Sequence, residues 1–142
     1  MTINLRNGLI ALAVLSLVGL GCSAMMDGKP AAEQAIANFH SKLDQERYAE
    51  IYADLDPRFK EVTSEEEMTK ILTAVHTKLG NVRSSTNSTW NASNYNLTSY
   101  INMVQNTDFD SGKAEEQFTF IYADKKVSLA GYHVNSMDLI TK

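Results

Sequence analysis

Side chains able to do chemistry are few in this chain of 142 residues: one cysteine, three histidines and a scatter of carboxylates and phenols. His40, His76 and His133 lie far apart. No pair has the i, i+4 spacing that sets two imidazoles on one helix face for zinc, and no second cysteine is available as a ligand. No metal and no cofactor are expected. His40 and His76 border apolar stripes and read as boundary histidines. His133 falls near the end of the chain's last strand-like run and could do acid–base work if folding set it beside Asp44 or Tyr100. Asp108-Phe109-Asp110-Ser111-Gly112 alternates carboxylates like the opening of a calcium loop, but the sixth-position glycine and closing glutamate are missing, so a turn is expected. The chain contains neither a glycine-rich phosphate loop nor a Gly-x-Ser-x-Gly elbow. No catalytic residue is assigned. Tyr48, Tyr52, Trp90 and Tyr100 each join an apolar ring to a polar tip; with His133 they form the candidate ligand-binding set. The competing reading of these aromatics, together with Phe118, Phe120 and Tyr122, is plain core.

Cys22 is the residue with the clearest chemical role. Arg6 precedes an uncharged, mostly apolar run from Leu9 to Leu20 that ends in Gly21-Cys22. Such a run is shorter than the ~20 residues needed to span a bilayer and matches the apolar region of a secretory signal. Val18-Gly19-Leu20-Gly21-Cys22 resembles the lipobox of bacterial lipoproteins, with Gly21 as the small residue and Cys22 as the acylated one. Gly19 stands where leucine is commoner. The resemblance implies cleavage after residue 21, lipidation of Cys22 and, from Ser23, sorting to the outer membrane facing the periplasm. An unpaired thiol in an exported chain is thereby explained. Residues 1–21 are then a signal peptide, 22–29 a lipidated tether and 30–142 a single domain.

The elements that would position any site follow from periodicity. Ala32, Ala35, Ile36, Phe39 and Leu43 recur at helical spacing after Pro30, a residue suited to a first turn. Tyr48, Ile51, Tyr52 and Leu55 mark a second short helix, interrupted at Asp56-Pro57. Ser64-Glu65-Glu66-Glu67 is a capping box, followed by the stripe Met68, Ile71, Leu72, Val75 and Leu79 and by Gly80 as a left-handed stop. Beyond Gly80 the period falls to two. Strands are expected over 82–90 and 97–105 around an Asn-rich turn, 91–96, then a turn at Asp108–Gly112. A third strand carries Phe118, Phe120 and Tyr122, and a tight turn at 123–126 leads into a fourth from Val127 to Met137. The fold class expected is α+β, with N-terminal helices packed on a curved, cone-like, four-stranded antiparallel meander.

That order resembles the nuclear transport factor 2-like, or cystatin-like, superfamily. More narrowly, it resembles small bacterial exported proteins of uncharacterised function on that fold, over residues 31–134. The resemblance rests on Phe39 and Tyr48, the Phe59 segment, Leu79-Gly80, and Asp124 leading to Ala130-Gly131-Tyr132-His133-Val134. A net charge of −4 without a basic cluster argues against nucleic acid. The three Asn-x-Ser/Thr sequons, at Asn87, Asn91 and Asn96, read as polar strand and turn composition in a bacterial lipoprotein. The function expected is a non-enzymatic accessory module of the cell envelope, held to the membrane by Cys22 and binding an envelope protein or peptide through a sheet face. The alternative is a domain that binds or senses a small apolar ligand, with a small hydrolase or isomerase behind it.

Overall fold

The computed structural model describes residues 20–141, with side chains from Asp27 onward. Residues 1–19 of the expected signal peptide and the Cys22 side chain lie outside the described residues. The chain runs α1 (Leu20–Asp44), α2 (Tyr48–Ala53), α3 (Pro57–Val62), α4 (Glu65–Leu79), β1 (Val82–Tyr95), β2 (Thr98–Phe109), β3 (Gly112–Ala123), β4 (Lys126–Asn135) and α5 (Met137–Thr141). The four strands form one antiparallel sheet in the order β1-β2-β3-β4. The expected α+β architecture is therefore present.

Strand parity divides the sheet into two unlike faces. On β2, Ile101, Met103, Gln105, Thr107 and Phe109 are buried, and on β3 Ala114, Glu116, Phe118 and Phe120 are. The apolar members pack against Ile36, Phe39 and Leu43 of α1 and the stripe of α4. The opposite face is wet. There Thr119 donates to Asn102 at 2.9 Å and Asn102 donates to Asn91 at 2.9 Å, a polar ladder across three strands. One covered and one solvated face is the usual condition of an antiparallel sheet.

Several boundaries differ from those read off the sequence, each for a physical reason. α1 spans Leu20–Asp44 among the described residues, so Pro30 stands inside it and residues 22–29 are helical rather than an extended tether. Gly28 accounts for this: a Cβ there would lie 2.3 Å from Ile101 Cδ1, so the helix already rests on the sheet before the proline removes its backbone bond. The α4 stripe is Met68, Leu72, Val75 and Leu79, while Ile71 is exposed. Ser64 and Glu67 form the predicted capping box. Gly80 ends the helix at φ 82 and ψ −159, outside the left-handed helical well and in a region open essentially to glycine alone. The first hairpin is longer than predicted. Asn91–Tyr95 remain in the ladder, and the turn is Asn96-Leu97, both at positive φ. α3 forms because Asp56 caps it, accepting from the Arg58 amide at 3.0 Å with Pro57 at the first position. α5 replaces the end of the expected fourth strand, with Ser136 Oγ accepting from the Asp138 amide.

Candidate functional site

α1 lies along the covered face and separates two recesses by its own periodicity. Ala35, Asn38, Phe39 and Lys42 face one; Glu33, Ile36, Ala37 and His40 face the other. Each set has the i, i+3, i+4, i+7 spacing of a single helix face.

The first recess lies between α1, α2 and the β3–β4 hairpin and has a volume of about 290 Å³. Its walls are Phe39, Ile51, Leu55, Phe118, Phe120, Val127 and Leu129, with Asn38, Lys42 and Asp54 as its polar groups. Lys42 and Asp54 form an ion pair, with the aspartate largely exposed and the lysine mostly covered. Apolar walls with a few polar groups are the ordinary makeup of a small-molecule site, and the volume falls at the lower end of the ~300–1,000 Å³ range.

The second recess, about 340 Å³, is bordered by Ile36, Ala37 and Val82 and by the polar side chains of Glu33, His40, Ser85, Asn87 and Gln105. Beneath it lies a fully buried carboxylate. Glu116 Oε2 is 2.7 Å from His40 Nε2 and accepts from Thr107 Oγ1 at 2.6 Å, while Oε1 accepts from Tyr132 OH at 2.7 Å. Ser85 Oγ lies 3.0 Å from Thr107 Oγ1 and donates to Gln105 Oε1 at 3.2 Å, extending the chain to the recess. Burial alone would push the Glu116 carboxyl up, but the bonds from His40, Thr107 and Tyr132 outweigh it and hold it below the ordinary carboxylate value. Burial also pushes the Tyr132 phenol well above its usual value, and the Glu116 charge and the bond to it add to the rise. Tyr132 is thus a fixed neutral donor. No buried side-chain nitrogen or oxygen of the described residues lacks a partner. His40 itself borders the recess. Phe39 and Phe118 pack around Tyr132 at ring separations of 4.9 and 5.2 Å, so the network and the apolar cavity share a wall.

The five candidate ligand-binding residues do not converge, and none lines either recess. Tyr48 and Tyr52 sit one turn apart on α2, half-buried, with the Tyr52 hydroxyl donating to the Thr63 carbonyl at 3.2 Å. Trp90 lies toward the open edge of β1, with Lys29 Nζ 5.7 Å from its ring. Tyr100 and His133 fall on the strand parity opposite to Ile101 and Tyr132, on the wet face, and His133 is exposed. Asp44 is equally remote from His133, accepting from the Val82 amide at 2.9 Å. The histidine–carboxylate pair sought at His133 is instead made by His40 and Glu116, 76 residues apart. One signal for it was in the sequence. Counting back by twos from Phe120 and Phe118 puts Glu116 on the covered face, where a carboxylate requires partners. Among the described residues no group of three or more His, Cys, Asp or Glu side chains could hold a metal.

A family model described as a protein of unknown function, DUF4019, matches residues 32–132. The chain belongs to this family. The matched span of the DUF4019 domain runs from the core of α1 to Tyr132 and so includes His40, Glu116 and both recesses. No curated protein matches the chain. Among solved structures it is similar to a protein provisionally named scytalone dehydratase from Novosphingobium aromaticivorans, with a TM-score of 0.52 and 12% identity over 82% of this chain and 88% of that one. Likeness at that identity concerns the fold alone, and the fold is nuclear transport factor 2-like.

Proposed function

We infer that this domain is a membrane-tethered module of the cell envelope that binds a small apolar or amphiphilic molecule in the cavity between α1, α2 and the β3–β4 hairpin. One observation carries the reading: eight apolar residues, with Asn38, Lys42 and Asp54 beside them, line a recess of about 290 Å³. Of the two kinds of occupant the sequence suggested, the ligand is favoured over a protein on the sheet. The wet face carries a polar ladder bonded within itself, whereas the cavity is a concave recess with apolar walls and three polar side chains. The tether rests on the lipobox-like residues 18–22; among the described residues no helix is long and apolar enough to cross a membrane.

The test is a melting shift with 1-octanol and octanoate. Ligand at 100 times its dissociation constant adds about 2.7 kcal/mol to stability, several degrees for a domain of this size. Ala35→Phe, which places a ring in the cavity from a half-buried helix position, should abolish the shift while leaving the unliganded melting temperature within a few degrees. No shift with either compound, or a shift that survives Ala35→Phe, counts against the site.

A second reading is favoured by the place of His40, bonded to Glu116 and bordering the second recess. A carboxylate that fixes one imidazole nitrogen is an arrangement suited to proton abstraction. The structural neighbour's provisional name is that of a dehydratase, a reaction class that needs such a base. A turnover screen over small hydroxy-carbonyl compounds tests it, with His40→Gln as control. Turnover that persists in the variant removes His40 from the chemistry.

A further inference from the structure

Three unrelated features meet at one end of the sheet. Tyr95 pairs with Thr98, Ser99 with Tyr122, and Ala123 with Lys126. The turns Asn96-Leu97 and Asp124-Lys125 therefore stand side by side, level with each other. α1 starts at the same end. Gly28 rests on Ile101 and Tyr122, while Asp44 bonds Val82, which pairs with Phe109 at the other end. From Gly28 to Asp44 the helix rises about 24 Å, and from Ile101 to Phe109 the strand rises about 27 Å, so helix and strands run nearly side by side. Cys22 precedes Gly28 by about 9 Å of helix, while the turn beyond Tyr122 is about 7 Å further along the strands. The stretch of α1 that holds Cys22 and both hairpin turns reach the same plane.

That plane carries apolar side chains that the fold does not use. Leu97 is 106% and Tyr95 69% exposed. Asn96 and Leu97 occupy φ 47 and 62, and a two-residue turn of this kind favours glycine at its second position. A leucine there bears the cost of a left-handed backbone and is fully exposed among the described residues. Lys125 and Lys126 are exposed on the neighbouring turn beside Asp124.

We propose that this end of the domain is a bilayer-docking surface: Leu97 and Tyr95 seat in the headgroup–acyl boundary, and Lys125 and Lys126 contact anionic phospholipid headgroups. The orientation rests on the reading that Cys22 is lipidated, which supplies the lipid surface at this plane. A helical segment from Cys22 to Lys29 spans about 10 Å rather than the ~25 Å of an extended one, so the anchor holds the turns against the surface. The strands stand upright on the membrane, and both recesses open sideways above it.

The test uses the full chain, exported and processed, with an environment-sensitive fluorophore on Asn96→Cys, reconstituted into phosphatidylethanolamine–phosphatidylglycerol vesicles. The expected result is a blue-shifted emission, quenched by brominated acyl chains, that is lost with Leu97→Asp and reduced severalfold by Lys125→Glu with Lys126→Glu. The same label on Asn135→Cys, at the far end, should report water throughout. Mass measurement of the Cys22 adduct separates the two readings. A lipidated chain with a water-like signal at position 96 overturns docking and leaves the anchor standing. A chain without the adduct removes the anchor, and docking is then judged by adding that labelled chain to the same vesicles: a blue shift sustains it and none overturns it. A shift that appears without vesicles points to a second copy or a protein on this end and also overturns it.

Discussion

At the residue scale, Glu116 is the most consequential side chain in the described domain. It is the only fully buried carboxylate among the described residues, and it accepts from three side chains that come from three elements, α1, β2 and β4. Those bonds hold its folded value below the unfolded one, near 4.3. A group depressed in this way contributes stability that is fully present above the unfolded value and is lost as pH falls through the folded one. Glu116→Gln should therefore lower stability at pH 7 by about 1–3 kcal/mol, the range for losing hydrogen bonds to a charged group. Its urea midpoint should also fall less steeply than the wild type's between pH 5 and pH 3. Parallel pH profiles for the two proteins would mean that the carboxylate is not what the acid limb reports. His40→Ala removes one partner and leaves the charge buried, a change that costs about 3–5 kcal/mol in comparable pairs. The loss should be smaller in a Glu116→Gln background, because the two side chains belong to one network.

At the scale of elements, the parts that were legible are those whose information is local. The α4 cap is an example: Ser64 Oγ accepts from the Glu67 amide at 3.2 Å, and the Ser64 amide donates to the Glu67 carboxylate at 2.9 Å. Ser64→Ala should cost about 1 kcal/mol, read as a melting-temperature drop of a few degrees, and Ser64→Asp should restore most of it. Gly80→Ala should cost more. Its Cβ would come 2.8 Å from Asp110 Cβ, at a φ of +82 that disfavours any side chain. What was not legible depends on contacts distant in sequence. α1 is already helical ahead of Pro30 because Gly28 lets it rest on Ile101 and Tyr122, a fact invisible to a reading that gives Pro30 its commonest place. Three asparagines within 91–96 look like a turn, whereas Asn91 and Asn94 are held in the strand by side-chain bonds to Asn102 and Ser99. For the site, strand parity could have moved Tyr100 and His133 to the wet face and Glu116 to the covered one. The recess that each face of α1 would border could not be known before α2 and β1 were in place.

At the scale of the whole molecule, α1 makes the two recesses one mechanical unit. Phe39 and His40 are neighbours on it. Phe39 walls the apolar cavity and packs on Tyr132 and Phe118, and His40 and Tyr132 are both bonded to Glu116. Anything that loosens the carboxylate frees Tyr132 and with it two aromatic walls of the cavity. Affinity for an uncharged apolar ligand should consequently depend on pH although the ligand has no titrating group. 1-Octanol should bind more weakly as pH falls through the depressed range of Glu116, by about fivefold or more if the coupling falls within the usual 1–3 kcal/mol. Linkage requires the reciprocal effect, that bound octanol holds Glu116 ionised to lower pH. Calorimetric titration at pH 7 and at a pH below the depressed range of Glu116, in the window where the domain is still folded, measures the first, and the Glu116→Gln protein isolates its origin, since affinity there should be weak and the same at both values. Equal affinity in the wild type at the two pH values would mean the recesses are mechanically separate. A pH dependence that persists in the variant would assign it to the Lys42–Asp54 pair at the rim instead.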